Sequence, residues 1–364
     1  MLKKTDFTPF KVGTIFNPHR NHLAEIKLLY KKISILYPSR LNAMALDPSK
    51  VAVNHNMQYS PGEIIFKVKI YKKISVEILN DTHKIYISEN AKRKPLIKHS
   101  ALIMRKALKF KNGLKIDVDN ENEIKHVGLG SSSGLIASVA CAINELYDRP
   151  IKRDDLLQYL AQNHGEEINN YDDMLSPVQC IGGSAAAGLF EGGMIVLAGK
   201  SRVIASMKID SDYKAVIGIP KDFKELDAQT LLYRETKIFD KVIECGRKFG
   251  NSIAYNCLHD VLPAMTEGDV SAIGDFIFDY RYNMGSIAYC SYTYDKLLRI
   301  ARKVAFLKRK GIADILSVSS VGPAFFAITK NYKTCKENFE NVNLKTYIAD
   351  IENDTYKILK TIKK

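Results

Sequence analysis

Hydrophobic and polar positions alternate over much of the first 120 residues, which is the pattern of β-strands. Turn-forming pairs at 61–62 (Pro-Gly) and 80–81 (Asn-Asp) separate some of these runs. The first part of the chain is therefore predicted to be mainly β-sheet. The predicted strands span residues 32–36, 64–70, 74–79, 84–88 and 114–118.

The hydrophobic period changes at residue 132. Apolar side chains then recur at three- and four-residue steps up to residue 147, which predicts a helix with one buried face. Asp154 and Asp155 are expected to cap a second helix that runs to about residue 164. A stretch rich in glycine and alanine follows, and it leads into a predicted strand at 194–197.

The pattern restarts after residue 210 with a buried-type strand at 215–219. Helical periods follow, then a strand pair at 315–318 and 324–328 and a last alternating run at 344–351. This change predicts two domains, 1–210 and 211–364, and an α+β fold. The helices predicted in the second domain span residues 238–248, 253–267, 270–282 and 294–310.

Composition and charge narrow the class of protein. The 364 residues are 46% apolar and 26% charged, which is a globular composition, and the formal net charge of +14 favours anionic ligands. Six cysteines contain no C-x-x-C pair, so free thiols in a reducing compartment are expected. The uncharged window 127–144 opens with glycines and serines and is interpreted as a loop and a buried helix. A soluble, cytoplasmic protein with no membrane partner is therefore predicted.

The segment GLGSSSG, residues 128–134, carries the clearest chemical signal. Glycines let backbone N–H groups approach a ligand, and the first turn of the following helix presents further N–H donors, so the segment could cradle an anion. Its spacing matches neither a Walker loop nor a dinucleotide-binding fingerprint. A plain glycine turn with a serine helix cap remains the alternative on the loop alone.

Three motifs in order resemble those of the GHMP superfamily of galacto-, homoserine, mevalonate and phosphomevalonate kinases. GLGSSSG resembles its phosphate-binding motif, YPSRLNAMALD (residues 37–47) its first motif, and SVSSVGPAFFAI (residues 317–328) its third. The resemblance implies a ribosomal-S5-like N-terminal domain, a ferredoxin-like C-terminal domain and a nucleotide site between them. Within the superfamily, PSRL (38–41), GLFEGGMIVLAG (188–199) and SSVGP (319–323) are similar to an archaeal branch of β-ribofuranosylaminobenzene 5′-phosphate synthases and mevalonate-phosphate kinases.

The resemblance also implies roles for individual residues and two cofactors, ATP and Mg²⁺. Arg40, Asn42 and Gly322 would contact the substrate, and Ser132 with Glu166 (or Glu167) would hold the metal. Asp173 or Asp172 would act as the base, although their distance from the glycine pair at 182–183 departs from the family, and both could instead cap a helix starting near Met174. The residues that would bind the nucleotide phosphates are Gly128, Leu129, Gly130, Ser131, Ser132, Ser133 and Gly134.

Three functions are compared at this point. The first is an ATP-dependent kinase for the hydroxyl of a small anionic metabolite, with mevalonate 3-phosphate as the preferred acceptor because the chain is basic. The second is phosphoribosyl transfer from a pyrophosphate donor, as in the synthase branch. The third is a non-catalytic nucleic-acid-binding protein, which scattered basic residues and the lack of an aromatic RNA motif disfavour. The expected partner is an anionic small molecule, with no nucleic acid and with a homodimer as one possible assembly.

Overall fold

The computed structural model describes residues 8–20, 26–51, 60–120 and 126–363. Its strands are β1 (Phe10–Lys11), β2 (Tyr30–Ala45), β3 (Glu63–Leu79), β4 (Ile85–Ile87), β5 (Gly113–Asp119), β6 (Glu166–Ile168), β7 (Tyr171–Ser176), β8 (Met194–Ala198), β9 (Arg202–Met207), β10 (Lys214–Pro220), β11 (Ile315–Val318), β12 (Phe325–Thr329), β13 (Leu344–Asp350) and β14 (Lys357–Lys363). Its α-helices are α1 (Lys94–Leu108), α2 (Ser131–Leu146), α3 (Arg153–Gln162), α4 (Gly183–Leu189), α5 (Ala228–Thr236), α6 (Phe239–Asn256), α7 (Leu262–Glu267), α8 (Val270–Phe278), α9 (Leu297–Val304), α10 (Phe306–Arg309) and α11 (Tyr332–Asn341).

The first sheet is built around two long antiparallel strands, β2 and β3. They pair from Lys32 opposite Glu77 to Ala45 opposite Glu63. Strand β5 pairs with the C-terminal part of β3 (residues 73–79), and β8 pairs with its N-terminal part (residues 63–66). Helix α2 packs against both long strands and is buried along almost its whole length, because small and aliphatic residues surround its axis. The start of α2 is thereby held close to β2.

The second sheet is antiparallel, in the order β11-β12-β10-β13. Strands β10, β11 and β12 are buried on both faces, and successive residues enter different clusters because strand side chains alternate. Ala215 and Ile217 pack toward the first sheet in one cluster, whereas Val216 packs toward α9 in another. Phe66 of β3 and Phe326 of β12 lie 6.1 Å apart between ring centroids. The two sheets therefore share one core.

The predicted α+β architecture is confirmed, with several differences in its elements. The runs at 64–70 and 74–79 form one strand, β3, because no turn interrupts the β-branched sequence between them. Helices α1 and α11 were not anticipated by the pattern. The predicted helix from Met174 is wrong, because residues 171–176 form strand β7 and pair with β1 and β6.

One strand from after the predicted division at residue 210 joins the sheet of the first part of the chain. Strand β14, near the end of the chain, pairs with the outer edge of β2 in the first sheet. The tail therefore returns to the N-terminal half after β13 has completed the second sheet. Within the described ranges, no helix combines the length and apolar character required to span a bilayer.

Candidate active site

Three sequence motifs meet at one place between the sheets. The backbone N–H of Asn42, in the first motif, donates to the Ser319 hydroxyl at 3.0 Å. That hydroxyl donates to the carbonyl of Gly128 at 2.6 Å, and Arg40 Nη1 donates to the same carbonyl at 3.0 Å. Side chains and backbone of motifs far apart in sequence are thus joined by direct hydrogen bonds.

The glycine-serine loop, residues 128–134, requires glycine at two positions. Gly128 and Gly130 adopt φ of +93° and +71°, a region that side chains disfavour. A Cβ at residue 130 would lie 2.4 Å from Ser184 Oγ, and one at residue 128 would lie 2.3 Å from the Ser319 carbonyl oxygen. The loop is therefore closely packed against its neighbours. It opens directly into α2, whose first N–H groups have no partner within the helix.

A cluster around Arg93 supports the start of α2. The Arg93 side chain is 1% exposed, and its Nη1 donates to Ser131 Oγ at 3.0 Å. Its Nη2 contacts both Ser132 Oγ, at 2.6 Å, and a Glu166 oxygen, at 2.5 Å, while Nε donates to Glu167 at 2.8 Å. Sequence reasoning missed Arg93 because it lies outside the three motifs, in a short basic run that resembles an exposed surface cluster.

The charge of this cluster favours an ionised Glu166. Burial by itself raises the pKa of its carboxyl, but the Arg93 guanidinium, with His126, a hydrogen bond from Ser132, and His164, outweighs burial and holds that pKa below its usual range. Glu166 therefore stays a carboxylate, and its charge is matched by Arg93.

The predicted metal ligands, Ser132 and Glu166, lie close together, but the Arg93 guanidinium occupies the space between them. Both contact the same nitrogen of Arg93. An ion bound to both oxygens at about 2.1 Å would lie within about 5 Å of that positive nitrogen. The pair as arranged does not fit a bare Mg²⁺. Among the residues that the structure describes, no group of three or more His, Cys, Asp or Glu side chains is arranged to hold a metal ion.

The serines of the loop line a cavity of about 210 Å³, which we call the loop cavity. Arg40 and Gly322, both predicted to contact substrate, line the same cavity. Arg40 also carries a buried donor, Nε, that has no hydrogen-bond partner in the part of the chain that the structure describes. Other residues of the lining are His126, Gly128, Gly130, Ser131, Ser132, Ser133, His164, Glu166, Glu235, Thr293 and Ser320.

A second cavity of about 200 Å³, the inner cavity, shares one wall with the loop cavity. Asn42 lines it, as predicted for a substrate-facing residue, and so do Arg281 and Glu235. The shared wall consists of Val178, Gln179, Leu232, Glu235, Ser320 and Val321. The inner cavity and the serines of the loop therefore lie on either side of the same six residues.

The inner cavity contains one cation and one acid. The Arg281 guanidinium donates to the carbonyls of Ala43, Val318 and Ser320, and its Nη1 has a thiol, Cys290 Sγ, at 3.6 Å. Glu235 lies at the shared wall, where burial raises the pKa of its carboxyl to about 7, against a hydrogen bond from Tyr292. Neither residue was singled out from the sequence, since Glu235 in α5 and Arg281, just after α8, lie outside the three motifs.

The predicted base is not at this site. Asp172 and Asp173 lie on β7 with exposed side chains, and neither lines the loop cavity or the inner cavity. The strand places them there: the Asp173 carbonyl accepts a hydrogen bond from Val12 N at 2.8 Å, and both carboxylates of this strand are exposed. The prediction of these residues as the base is corrected.

A third cavity, the strand cavity, lies beside the same loop and has a volume of about 460 Å³. Ser131 lines both this cavity and the loop cavity. Apolar side chains of the second sheet form part of its wall, and lysines from β3 lie at it. The lining is Leu36, Ser39, Ile70, Tyr71, Lys72, Lys73, Asp119, Asn120, Leu129, Ser131, Ile217, Ile219 and Tyr347.

Comparison with known proteins agrees with this arrangement. Residues 95–176 match the family of GHMP kinases, N terminal domain. A homoserine kinase of Caldanaerobacter subterraneus subsp. tengcongensis is 23% identical over 303 residues, covering 81% of this chain and 89% of that protein.

Two solved structures share the fold. The homoserine kinase of Cytophaga hutchinsonii aligns with a TM-score of 0.58 at 14% identity, over 93% of this chain and all of that one. The mevalonate kinase of L. major, in complex with R-mevalonate, aligns with a TM-score of 0.60 at 11% identity, over 91% and 99%. Residues 95–176 thus match the N-terminal domain family of the GHMP kinases, and the chain as a whole has the fold of these small-molecule kinases.

Proposed function

We propose that this GHMP-type kinase transfers the terminal phosphoryl group of ATP to a hydroxyl of a small carboxylate. One observation carries the proposal: the glycine-serine loop lies between a large, partly apolar cavity and a polar cavity that shares a wall with a third. This arrangement suits a donor such as ATP, with its flat base in the apolar cavity and its triphosphate at the loop.

The strand cavity is the proposed place of the adenosine. Its volume of about 460 Å³ is sufficient for a base and a ribose, and Leu129 with Ile217 offers an apolar surface for the base. The phosphates would then cross the loop at Ser131, which borders both cavities. The unpartnered Arg40 Nε supports an anion at that point, because a buried donor without an acceptor is costly.

The chemistry requires little of the protein beyond positioning and charge. Phosphoryl transfer passes through a loose transition state, so an aligned hydroxyl and neutralised phosphate oxygens account for most of the catalysis. The N–H groups at the start of α2 and the nearby cations supply that neutralisation. When bound with ATP, Mg²⁺ would supply further positive charge to the phosphates. No carboxylate base is assigned, since Asp172 and Asp173 are elsewhere.

The first candidate acceptor is homoserine, a hydroxylated amino acid. Arg281 and Glu235 place one cation and one acid at the inner cavity, which suits a carboxylate and an ammonium on one small molecule. The sequence similarity to a homoserine kinase supports the same choice.

The second candidate is a mevalonate-type precursor, including mevalonate 3-phosphate. The shared fold with a mevalonate kinase and the net charge of +14 support it. Such an acceptor carries negative groups and no ammonium, so Glu235 would have nothing to bind. Phosphoribosyl transfer remains the alternative reaction, with pyrophosphate rather than triphosphate on the loop.

The test measures ADP release with homoserine, mevalonate, mevalonate monophosphates, shikimate, pantoate and galactose, and compares Glu235→Gln with the wild type. With homoserine, loss of a charge-assisted contact is expected to raise KM by about tenfold or more while kcat changes less. Because the Glu235 carboxyl ionises with a pKa of about 7, the wild-type KM for homoserine should fall as pH rises from 6 to 8, and the variant should lose that dependence.

The control is Glu267→Gln, which removes an exposed carboxylate far from the cavity lining and should leave KM unchanged. Turnover of a mevalonate-type compound with a KM insensitive to Glu235→Gln would favour the second candidate. Turnover of none of the compounds would contradict both acceptors.

A further inference from the structure

The Arg93 cluster suggests a role that the family's three motifs do not contain. We propose that Arg93 is the resident cation of the glycine-serine loop, standing between Ser132 and Glu166 where a divalent ion would otherwise bind, so that Mg²⁺ reaches the site only on the phosphate oxygens of ATP. The inference deepens the proposed function and rests on it for the identity of those phosphates. Its decisive measurements need neither ATP nor an acceptor.

The guanidinium is held on several sides. Nε and Nη2 each contact a carboxylate, Glu167 at 2.8 Å and Glu166 at 2.5 Å, and the side chains of these acids are only 12% and 9% exposed. Nη1 and Nη2 also contact the hydroxyls of Ser131 and Ser132, at 3.0 and 2.6 Å. Arginine's planar fork of donors suits such a set of oxygens, and a lysine would reach fewer of them. These contacts fix the position of the Arg93 guanidinium within the cluster.

The hydroxyl of Ser132 is already in contact with a cation, because its oxygen accepts a hydrogen bond from Arg93 Nη2 at 2.6 Å. A metal ion on the remaining lone pair of that oxygen would lie close to this positive nitrogen. Two cations this close in a buried site repel strongly. Binding of a free divalent ion at this pair therefore requires Arg93 to leave two nearly buried carboxylates.

Removing the guanidinium should convert the cluster into a cation site. Without it, Glu166, Glu167 and Ser132 would remain as two carboxylates and a hydroxyl, which are the hard oxygen ligands that Mg²⁺ and Mn²⁺ prefer. The two acids would also repel each other, so a divalent ion would relieve the repulsion that Arg93 relieves in the wild type.

The experiment measures Mn²⁺ binding to nucleotide-free protein by electron paramagnetic resonance, together with melting temperature with and without MgCl₂. The wild type is expected to show no specific Mn²⁺ site and no melting shift. Arg93→Met should bind one Mn²⁺ at least tenfold more tightly than the wild type, and MgCl₂ should raise its lowered melting temperature. Arg93→Met with Glu166→Gln should lose that response.

Arg93→Lys serves as the matched variant, since it keeps a cation and should gain no metal site. One Mn²⁺ bound by nucleotide-free wild type and lost in Glu166→Gln would overturn the proposal, and so would a folded Arg93→Met that binds no metal. If Arg93→Met does not fold even with MgCl₂, the wild-type titration still decides, because a metal ion bound at Glu166 in the wild type contradicts a resident guanidinium and its absence supports one. Failure of every acceptor assay would leave these metal results unaffected.

Discussion

At the scale of single residues, the site depends on backbone positions that only glycine fits. Gly130 has φ of +71°. A Cβ added to it would lie 2.4 Å from Ser184 Oγ and 3.2 Å from Arg40 Nε. A side chain there would meet both neighbours while already adopting a strained conformation. The conformation of the loop that would contact the phosphates thus depends on the absence of a side chain at residue 130.

Gly130→Ala is therefore expected to weaken ATP binding by about tenfold or more, because the loop or Arg40 must shift. Isothermal titration calorimetry with ATP measures the effect. Gly268→Ala is the matched control: Gly268 has a similar φ of +74° and no atom within 4 Å of a Cβ, so it has the same backbone strain without the clash. Equal losses of affinity in the two variants would contradict a specific role for the loop.

At the scale of elements, the turn between β11 and β12 holds the first two motifs together. Ser319 accepts a hydrogen bond from Asn42 N in β2 and donates to the Gly128 carbonyl ahead of α2. Ser320 N also donates to the Asn42 carbonyl, at 2.8 Å. The third motif therefore has a positioning role, because the Ser319 hydroxyl holds β2 and the glycine-serine loop at a fixed distance from each other.

Ser319→Ala removes that hydroxyl and leaves the buried Gly128 carbonyl and Asn42 N–H with one partner fewer. The expected cost is about 1–3 kcal/mol in the free energy of unfolding, with a fall in kcat from the displaced loop. Urea unfolding and steady-state kinetics check it against Ser211→Ala, which alters an exposed serine. A variant with normal stability and normal kcat would show that this contact does not position the loop.

Local patterns predicted the elements that carry the motifs, because a helix start rich in glycine and serine and the alternation of β-strands are written in neighbouring residues. The Arg93 cluster was not predictable in this way. It joins residues 93, 131, 132, 166 and 167, which meet only after α1, α2 and β6 have packed. Asp172 and Asp173 were assigned as the base from their resemblance to an Asp ahead of a glycine pair, although the spacing departs from the family. The alternative, a helix cap, did not hold either, because pairing with β1 and β6 makes the segment a strand.

At the scale of the whole molecule, the two sheets share a core, and the Arg281 side chain is one of the groups that join them at the site. The Arg281 guanidinium donates to Ala43 in the first sheet and to Val318 and Ser320 at the end of β11 in the second. The inner cavity is bounded by this connection, and the strand cavity by β3 and β10. The relative placement of the halves therefore determines whether donor and acceptor can meet.

The most direct test of the central claim is a product analysis of one reaction mixture containing wild-type protein, Mg²⁺, ATP and the acceptor candidates, repeated with Gly130→Ala. The account predicts ADP and a phosphorylated acceptor in equal amounts with the wild type, and a large loss of both with the variant. ADP formation that does not depend on an acceptor, or equal turnover by Gly130→Ala, would contradict it. So would release of pyrophosphate in a parallel mixture that contains phosphoribosyl pyrophosphate in place of ATP.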